Sequence, residues 1–247
     1  MPLTTQDLGR VTDDTGAVTT CVDMVIYGDS GAGKTYRAAT APGPLYVISP
    51  DPTGHKSIPF RVPGKLLTHT DDIRETIMGF REGGHGYRTL IVDGLSFIHD
   101  LFLKETGQYF YENMGAKDPD LLPIAGRMKI QNRYRDMVRA LINLTQLQNP
   151  ADRVHVIFTT LAERLKEDDT APFKIRPLIG TNKMNEQFPA FFSVISYIKQ
   201  SDDTDDKGMP DETRRMLFTN KGGIMARDRL GIFPPAGDAP NLSEYLK

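Results

Sequence analysis

The octapeptide GDSGAGKT, Gly28 to Thr35, constrains the fold more than any other stretch of the chain. It follows an apolar, β-branched run, Cys21 to Tyr27 (CVDMVIY), that suits a buried strand, and it precedes residues able to open a helix. The pattern G-x-x-x-x-G-K-[ST] in that context marks a loop that wraps phosphate. Gly28, Gly31 and Gly33 permit backbone conformations closed to residues bearing a side chain, so consecutive N–H groups can converge on an anion at a helix N-terminus. The expected cradle is Gly28, Asp29, Ser30, Gly31, Ala32, Gly33, Lys34, Thr35 and Tyr36. Lys34 would add charge at the β and γ phosphates, and Thr35 would offer its hydroxyl to Mg2+.

Such a loop belongs in a layered α/β sheet, and the rest of the chain reads that way. Leu45 to Ser49, Thr89 to Val92 and Arg153 to Thr159 (RVHVIFT) are short buried-strand patterns. Between the first two, Thr70 can cap a helix carrying Ile73, Ile77 and Phe80 on one face, ended by Gly83-Gly84. A longer helix is expected over about 127–148, where Ile130, Tyr134, Met137, Val138, Leu141 and Leu144 form an apolar stripe. Its other face carries Arg127, Lys129, Arg133, Arg135 and Arg139, for which a solvated surface is the default reading. Phe192 to Lys199 and Arg215 to Thr219 flank the acidic stretch SDDTDDKGMPDE and read as a hairpin. The expected fold is a mainly parallel sheet flanked by helices, with a C-terminal antiparallel hairpin.

No repeat or low-complexity linker divides the 247 residues, so one domain is expected, with residues 1–19 as an N-terminal extension and 236–247 as a C-terminal tail. A formal net charge of -2 excludes a uniformly basic nucleic-acid coat, so any such surface must be local. Cys21 is the only cysteine, which rules out an intramolecular disulfide and fits a reducing cytoplasm. No apolar run approaches the ~18–20 residues of a membrane span, and the first twenty residues lack a signal pattern, so neither membrane association nor export is expected.

Phosphate chemistry in this setting also needs a carboxylate at the end of a neighbouring strand to hold the magnesium and its water shell. Asp93, after Leu90-Ile91-Val92, supplies it; capping the following helix is a compatible second role. The next residue is Gly94 instead of Glu, so the catalytic base must come from elsewhere.

At this point the chain resembles the RecA family of recombinases, and more closely its compact phage branch, ATP-dependent single-strand annealing proteins made of little more than the RecA core. The resemblance covers about residues 20–235 and implies a RecA-like P-loop NTPase that uses ATP and Mg2+. VDGLSFI resembles the family's magnesium-binding strand and turn. YVISPDPTGH places Asp51 where the family keeps its activating carboxylate, usually Glu; a turn built on Pro50-Asp51-Pro52 explains Asp51 equally. VIFTT puts Thr159 and Thr160 at the γ-phosphate sensing pair, without the usual Gln at Thr160; a strand-end Thr satisfying backbone is the alternative. KGGIMARDRLGIFPP resembles the compact family's late motif, with Arg227 and Arg229 as fingers toward a neighbouring subunit, the alternative being surface ion pairs.

The resemblance also implies single-stranded DNA as partner, assembly into a ring or filament, and a single-stranded-DNA-binding protein as a further candidate partner, in the host cytoplasm if the chain is phage-encoded. Two segments without clear periodicity, about 104–126 and 161–187, match the family's DNA loops in position. The first contains Tyr109, Phe110 and Tyr111; the second contains Arg164, Lys166, Phe173, Lys174, Arg176 and Lys183. Aromatic faces beside cations suit the bases and phosphates of a single strand. The aromatics could instead be core, and Glu163, Glu167, Asp168 and Asp169 dilute the charge of the second segment. The competing functions are a P-loop kinase and a nucleotide-gated binding module with little turnover.

Overall fold

A computed structural model describes residues 21–114, 122–166, 173–200 and 214–246. All six residues of β1 (Asp23–Gly28) are buried because the strand lies inside the sheet, flanked in parallel by β5 (His155–Leu165) and β7 (Val194–Gln200). Beyond β5 come β4 (Thr89–Val92), β2 (Leu45–Ser49) and the edge strand β3 (Gly64–Leu66), all parallel. One strand therefore separates the strand that feeds the phosphate loop from the strand that ends at Asp93.

Antiparallel strands complete the other side: β8 (Arg214–Leu217) and β9 (Arg227–Asp228) pair with β7, and β10 (Ala236–Asp238) pairs with β8. The residues joining β7 to β8, with the acidic stretch, lie outside the described residues. A tenth strand, β6 (Lys174–Leu178), runs antiparallel to the outer half of β5.

Side chains of a strand alternate across the sheet, and both faces here are covered, which is why the central strands read as continuous apolar runs. Val25 and Tyr27 of β1 enter one core with Phe158; Met24 and Ile26 enter the other with Ile157. The first core is closed by α2 (Thr70–Glu82), α3 (Leu95–Asn113) and α4 (Ile124–Ile142), through Ile73, Ile98 and Tyr134 among others. The second is closed by α1 (Lys34–Ala38) and by the C-terminal residues Leu242 and Leu246. The tail expected over 236–247 is thus part of the fold as far as 246: Ala236–Asp238 forms β10 and both leucines are buried.

Two long segments expected to lack regular structure are mostly ordered elements. Residues 104–113 continue α3, whose buried face is Leu95, Ile98, His99, Phe102, Thr106, Gly107 and Phe110. That stripe has helical spacing, but His99, Thr106 and Gly107 interrupt its apolar character, so it does not stand out in the sequence. The 161–187 segment contains the rest of β5, then β6 and the short α5 (Asn182–Gln187). Helix α2 starts one residue earlier than Thr70 capping would require: His69 is the cap and accepts at its backbone, while Asp72 accepts from His69 N at 2.9 Å and Thr68 N at 2.8 Å. Those donors hold the Asp72 carboxyl well below the usual carboxylate range. Helix α4 begins at Ile124, three residues before the expected start, and its charged side is partly engaged: Arg133 donates to Thr70 Oγ1 at 3.1 Å and stands over the Phe102 ring.

Candidate active site

Three strand ends meet above the sheet. After β1 the chain turns through Gly31 (φ 77°) and Gly33 (φ 86°) before α1 begins at Lys34, conformations that a β-carbon would strain. Gly28 is required for a different reason: a Cβ there would lie 2.2 Å from the carbonyl oxygen of Ile198 on β7. Lys34 Nζ donates to the carbonyls of Gly28 at 3.1 Å and Asp29 at 2.7 Å. Partial burial pulls the Lys34 ammonium below its ordinary value, and the charges of Asp93 and Asp29 oppose that shift.

Asp93, at the end of β4, is buried and accepts two hydroxyls at Oδ1, Thr35 Oγ1 at 2.7 Å and Thr159 Oγ1 at 2.6 Å. Thr159 in turn accepts the Gly94 N–H at 2.9 Å, so β5 and β4 are pinned together beside the loop. Gly94 sits at φ 92° and turns the chain directly into α3.

From β2, Asp51 accepts at Oδ1 from Thr53 N at 2.8 Å and Thr53 Oγ1 at 2.7 Å, the small turn expected from its prolines. Its other oxygen faces the site: the point a Cβ of Gly54 would occupy is 3.4 Å from Asp51 Oδ2, 2.7 Å from Asp93 Oδ2 and 3.5 Å from Ser49 Oγ. Both readings of Asp51, turn former and site carboxylate, are therefore compatible, one oxygen to each. Gly54 and Ser49 are site residues that the sequence did not single out; the glycine's signal was its place three residues after Asp51. A cavity of about 380 Å³ is lined by this group, from Gly31 and Lys34 across Asp51 and Asp93 to Thr159 and Thr160.

The two threonines differ. Thr160 Oγ1 donates to the Leu178 carbonyl on β6, so the backbone-satisfying alternative describes Thr160, and the hydroxyl in contact with Asp93 belongs to Thr159. Arg227 and Arg229 stand elsewhere. β9 pairs with the start of β7, where Val194 also aligns with Met24, so both arginines lie at the end of the sheet away from the phosphate loop. The Arg227 guanidinium donates to the carbonyls of Pro189 and Phe192, the latter at 2.9 Å, which ties it to its own chain. Arg229 is exposed.

The segments expected to meet DNA also divide. Arg176 is buried and paired with Glu163 at 2.6 Å, with Asn182 at 3.3 Å and Glu186 at 3.6 Å around it, so it is a structural cation. Arg164 is exposed but engaged with Asp29 of the phosphate loop at 2.6 Å. Lys166, Phe173, Lys174 and Lys183 are exposed, and Lys166 Nζ stands 5.8 Å from the Phe173 ring centre. Phe110 is buried in α3, while Tyr109 and Tyr111 are exposed on it and Lys129 covers the Tyr109 ring at 4.2 Å. Glu167, Asp168 and Asp169 lie outside the described residues.

The glycine-lined turn, the lysine beneath it and the helix that follows fit a nucleotide triphosphate. For Mg2+, one hydroxyl and one carboxylate 2.7 Å apart fit a metal that keeps its waters and takes its remaining ligands from phosphate. Among the described residues no group of three or more His, Cys, Asp or Glu forms an all-protein metal cage.

Fold and site together define a P-loop NTPase. A family model described as an AAA domain matches residues 20–230, and the chain belongs to that family of AAA-type P-loop ATPases, which bind and hydrolyse nucleotide. No curated protein matches the chain. No helix of the described residues is long and apolar enough to cross a membrane.

Proposed function

We propose that this AAA-domain ATPase hydrolyses ATP with Mg2+, binds single-stranded DNA and assembles on it as a homo-oligomer, in the manner of the compact RecA-like annealing proteins that its motifs resemble. The observation that carries the ATPase part is the convergence of Thr35, Thr159 and Asp93, with the Asp51 carboxylate facing the same space. Thr35 and Asp93 would hold the metal, which when bound neutralises developing phosphate charge. Lys34 would neutralise the β and γ phosphates, and Asp51 Oδ2 would orient or deprotonate the attacking water. Arg229, exposed and remote from the loop of its own chain, would serve a neighbour.

The DNA part rests on the antiparallel pair of β5 and β6, at whose outer end Lys166, Phe173 and Lys174 are exposed, on the strand that bonds Asp93 and on its partner. A ring face with a cation over it suits a stacked base beside its phosphate. The net charge of -2 means that this patch acts locally. ATP turnover measured with and without an oligo-dT strand tests the reading: stimulation by the strand is expected. Turnover without any response to DNA, together with no DNA binding, would leave an ATPase of another partner class.

A further inference from the structure

Asp29 is held from two sides. Its backbone carbonyl accepts from Lys34 Nζ at 2.7 Å, and its carboxylate accepts from Arg164 Nη2 at 2.6 Å. Arg164 stands on β5 opposite Ile175 of β6, one residue before the pair Leu165 and Lys174, so it is the base of the hairpin proposed to meet DNA. Both residues of this ion pair line a second cavity, of about 580 Å³. Ser30, Gly31, Tyr197, Lys199 and Gln200 line it as well. It shares only loop residues with the nucleotide cavity, and the reacting carboxylates Asp51 and Asp93 do not reach it.

Arg164 and Lys199 bring two cations to this concavity against the one carboxylate of Asp29, with which Arg164 is paired. Both partners of that pair are more than half exposed, at 56% and 53%, so water screens it and the bond contributes little. The fork of a guanidinium matches phosphate as well as carboxylate, and a phosphate can take it over. We propose that this cleft binds a backbone phosphate of single-stranded DNA through Arg164 and Lys199, and that Asp29 competes for Arg164. The inference rests on the single-strand reading given above and adds to it a site, with a carboxylate of the chain itself as the competitor of DNA.

The test is fluorescence anisotropy of a labelled oligo-dT strand, titrated across salt with wild type, Asp29→Asn, Arg164→Met, Lys199→Gln and, as a hairpin control, Lys166→Ala/Lys174→Ala. Lys199 is half-buried and the other positions are exposed, and Asp29→Asn keeps size and shape. Arg164→Met and Lys199→Gln should each weaken binding by about 5- to 10-fold and lower the salt slope by about 0.7, the value of one lost phosphate contact on a single strand. Asp29→Asn should move affinity the other way, tightening it. A merely structural ion pair would make Asp29→Asn and Arg164→Met fall together, and that result overturns the proposal. If the hairpin control loses affinity while the three cleft variants keep wild-type values, the cleft is wrong and the single-strand reading stands. A wild type that does not bind the strand removes both.

Discussion

Thr35 and Asp93, 58 residues apart in the chain, are joined by a hydrogen bond of 2.7 Å from hydroxyl to carboxylate. The proton of Thr35 is committed to Asp93, which leaves the lone pairs of its oxygen available to a cation. The same carboxylate oxygen takes the Thr159 hydroxyl, so the metal-side geometry is set by three elements at once: the start of α1, the end of β4 and the middle of β5. Packing of β4 between β2 and β5 fixes those ends, and the site inherits the rigidity of the sheet.

Lys34→Ala is expected to abolish ATP hydrolysis and to weaken nucleotide binding, with little change in the thermal midpoint. Lys34 contacts only loop carbonyls through its ammonium, and its removal leaves both cores intact. Turnover and a melting curve on the same preparation decide it; wild-type turnover would remove the phosphate loop from the reaction.

Thr159→Val and Thr160→Val should separate two neighbouring hydroxyls. The first strips Asp93 of a donor and Gly94 N of an acceptor, so it should cost ~1–3 kcal/mol of stability and most of the turnover. The second loses one bond to the Leu178 carbonyl, ~1 kcal/mol, with turnover near wild type. Asp51→Asn, by contrast, should keep nucleotide affinity and stability but lose most of the rate, because Asn still accepts from Thr53 while its amide cannot act as a base. Equal rates for Thr159→Val and Thr160→Val would remove the distinction between the two hydroxyls. An unchanged rate for Asp51→Asn would move the catalytic base elsewhere.

Gly28 to Thr35 and Asp93 could be read from the sequence because their chemistry is local: a glycine pattern, a lysine, and a carboxylate at the end of an apolar run. Arg176 could not. Its burial depends on Glu163, thirteen residues back on the paired strand, and only the β5–β6 register brings them together. Thr159 and Thr160 are equivalent in sequence, and the alternation of the strand decides which one meets Asp93. Of the missed strands, β3, β9 and β10 have two or three residues each, too short to show a period of two. Phe110 is buried on the inner face of α3 where the sequence offered only an aromatic cluster.

Stability should fall with acid because of His155, a residue outside the site. Its Nδ1 accepts the Val22 N–H at 3.1 Å, and burial, aided by the Arg88 charge, holds its pKa down to about 4. The unfolded chain protonates near the ordinary 6.5, before the folded one does. The contribution is thus complete above pH 6.5 and shrinks as pH falls toward 4, by a total on the order of 3 kcal/mol. Urea midpoints for wild type and His155→Gln at intervals between pH 7 and 4 measure it. Carboxylates common to both proteins cancel in the difference, which should narrow as pH falls; a constant difference would show that His155 keeps one protonation state throughout.

Arg229 is expected to act on nucleotide held by an adjacent subunit. Its strand pairs with the start of β7, at the end of the sheet opposite the phosphate loop, so it cannot reach the phosphates of its own chain. Arg227, in the same motif, is bonded to the carbonyls of Pro189 and Phe192, and its replacement should show mainly as lost stability. A guanidinium acting in trans is worth up to ~10³–10⁵ in rate where it has been measured in P-loop enzymes. Mixing two inactive proteins tests the assignment. Lys34→Ala lacks its own active site but keeps Arg229, whereas Arg229→Ala keeps its phosphate loop but cannot assist a neighbour. Once co-assembled, some interfaces pair an intact loop with an intact arginine, and ATP turnover should return in proportion to their fraction. Co-assembly shown by light scattering without any recovery of turnover would leave Arg229 a surface residue.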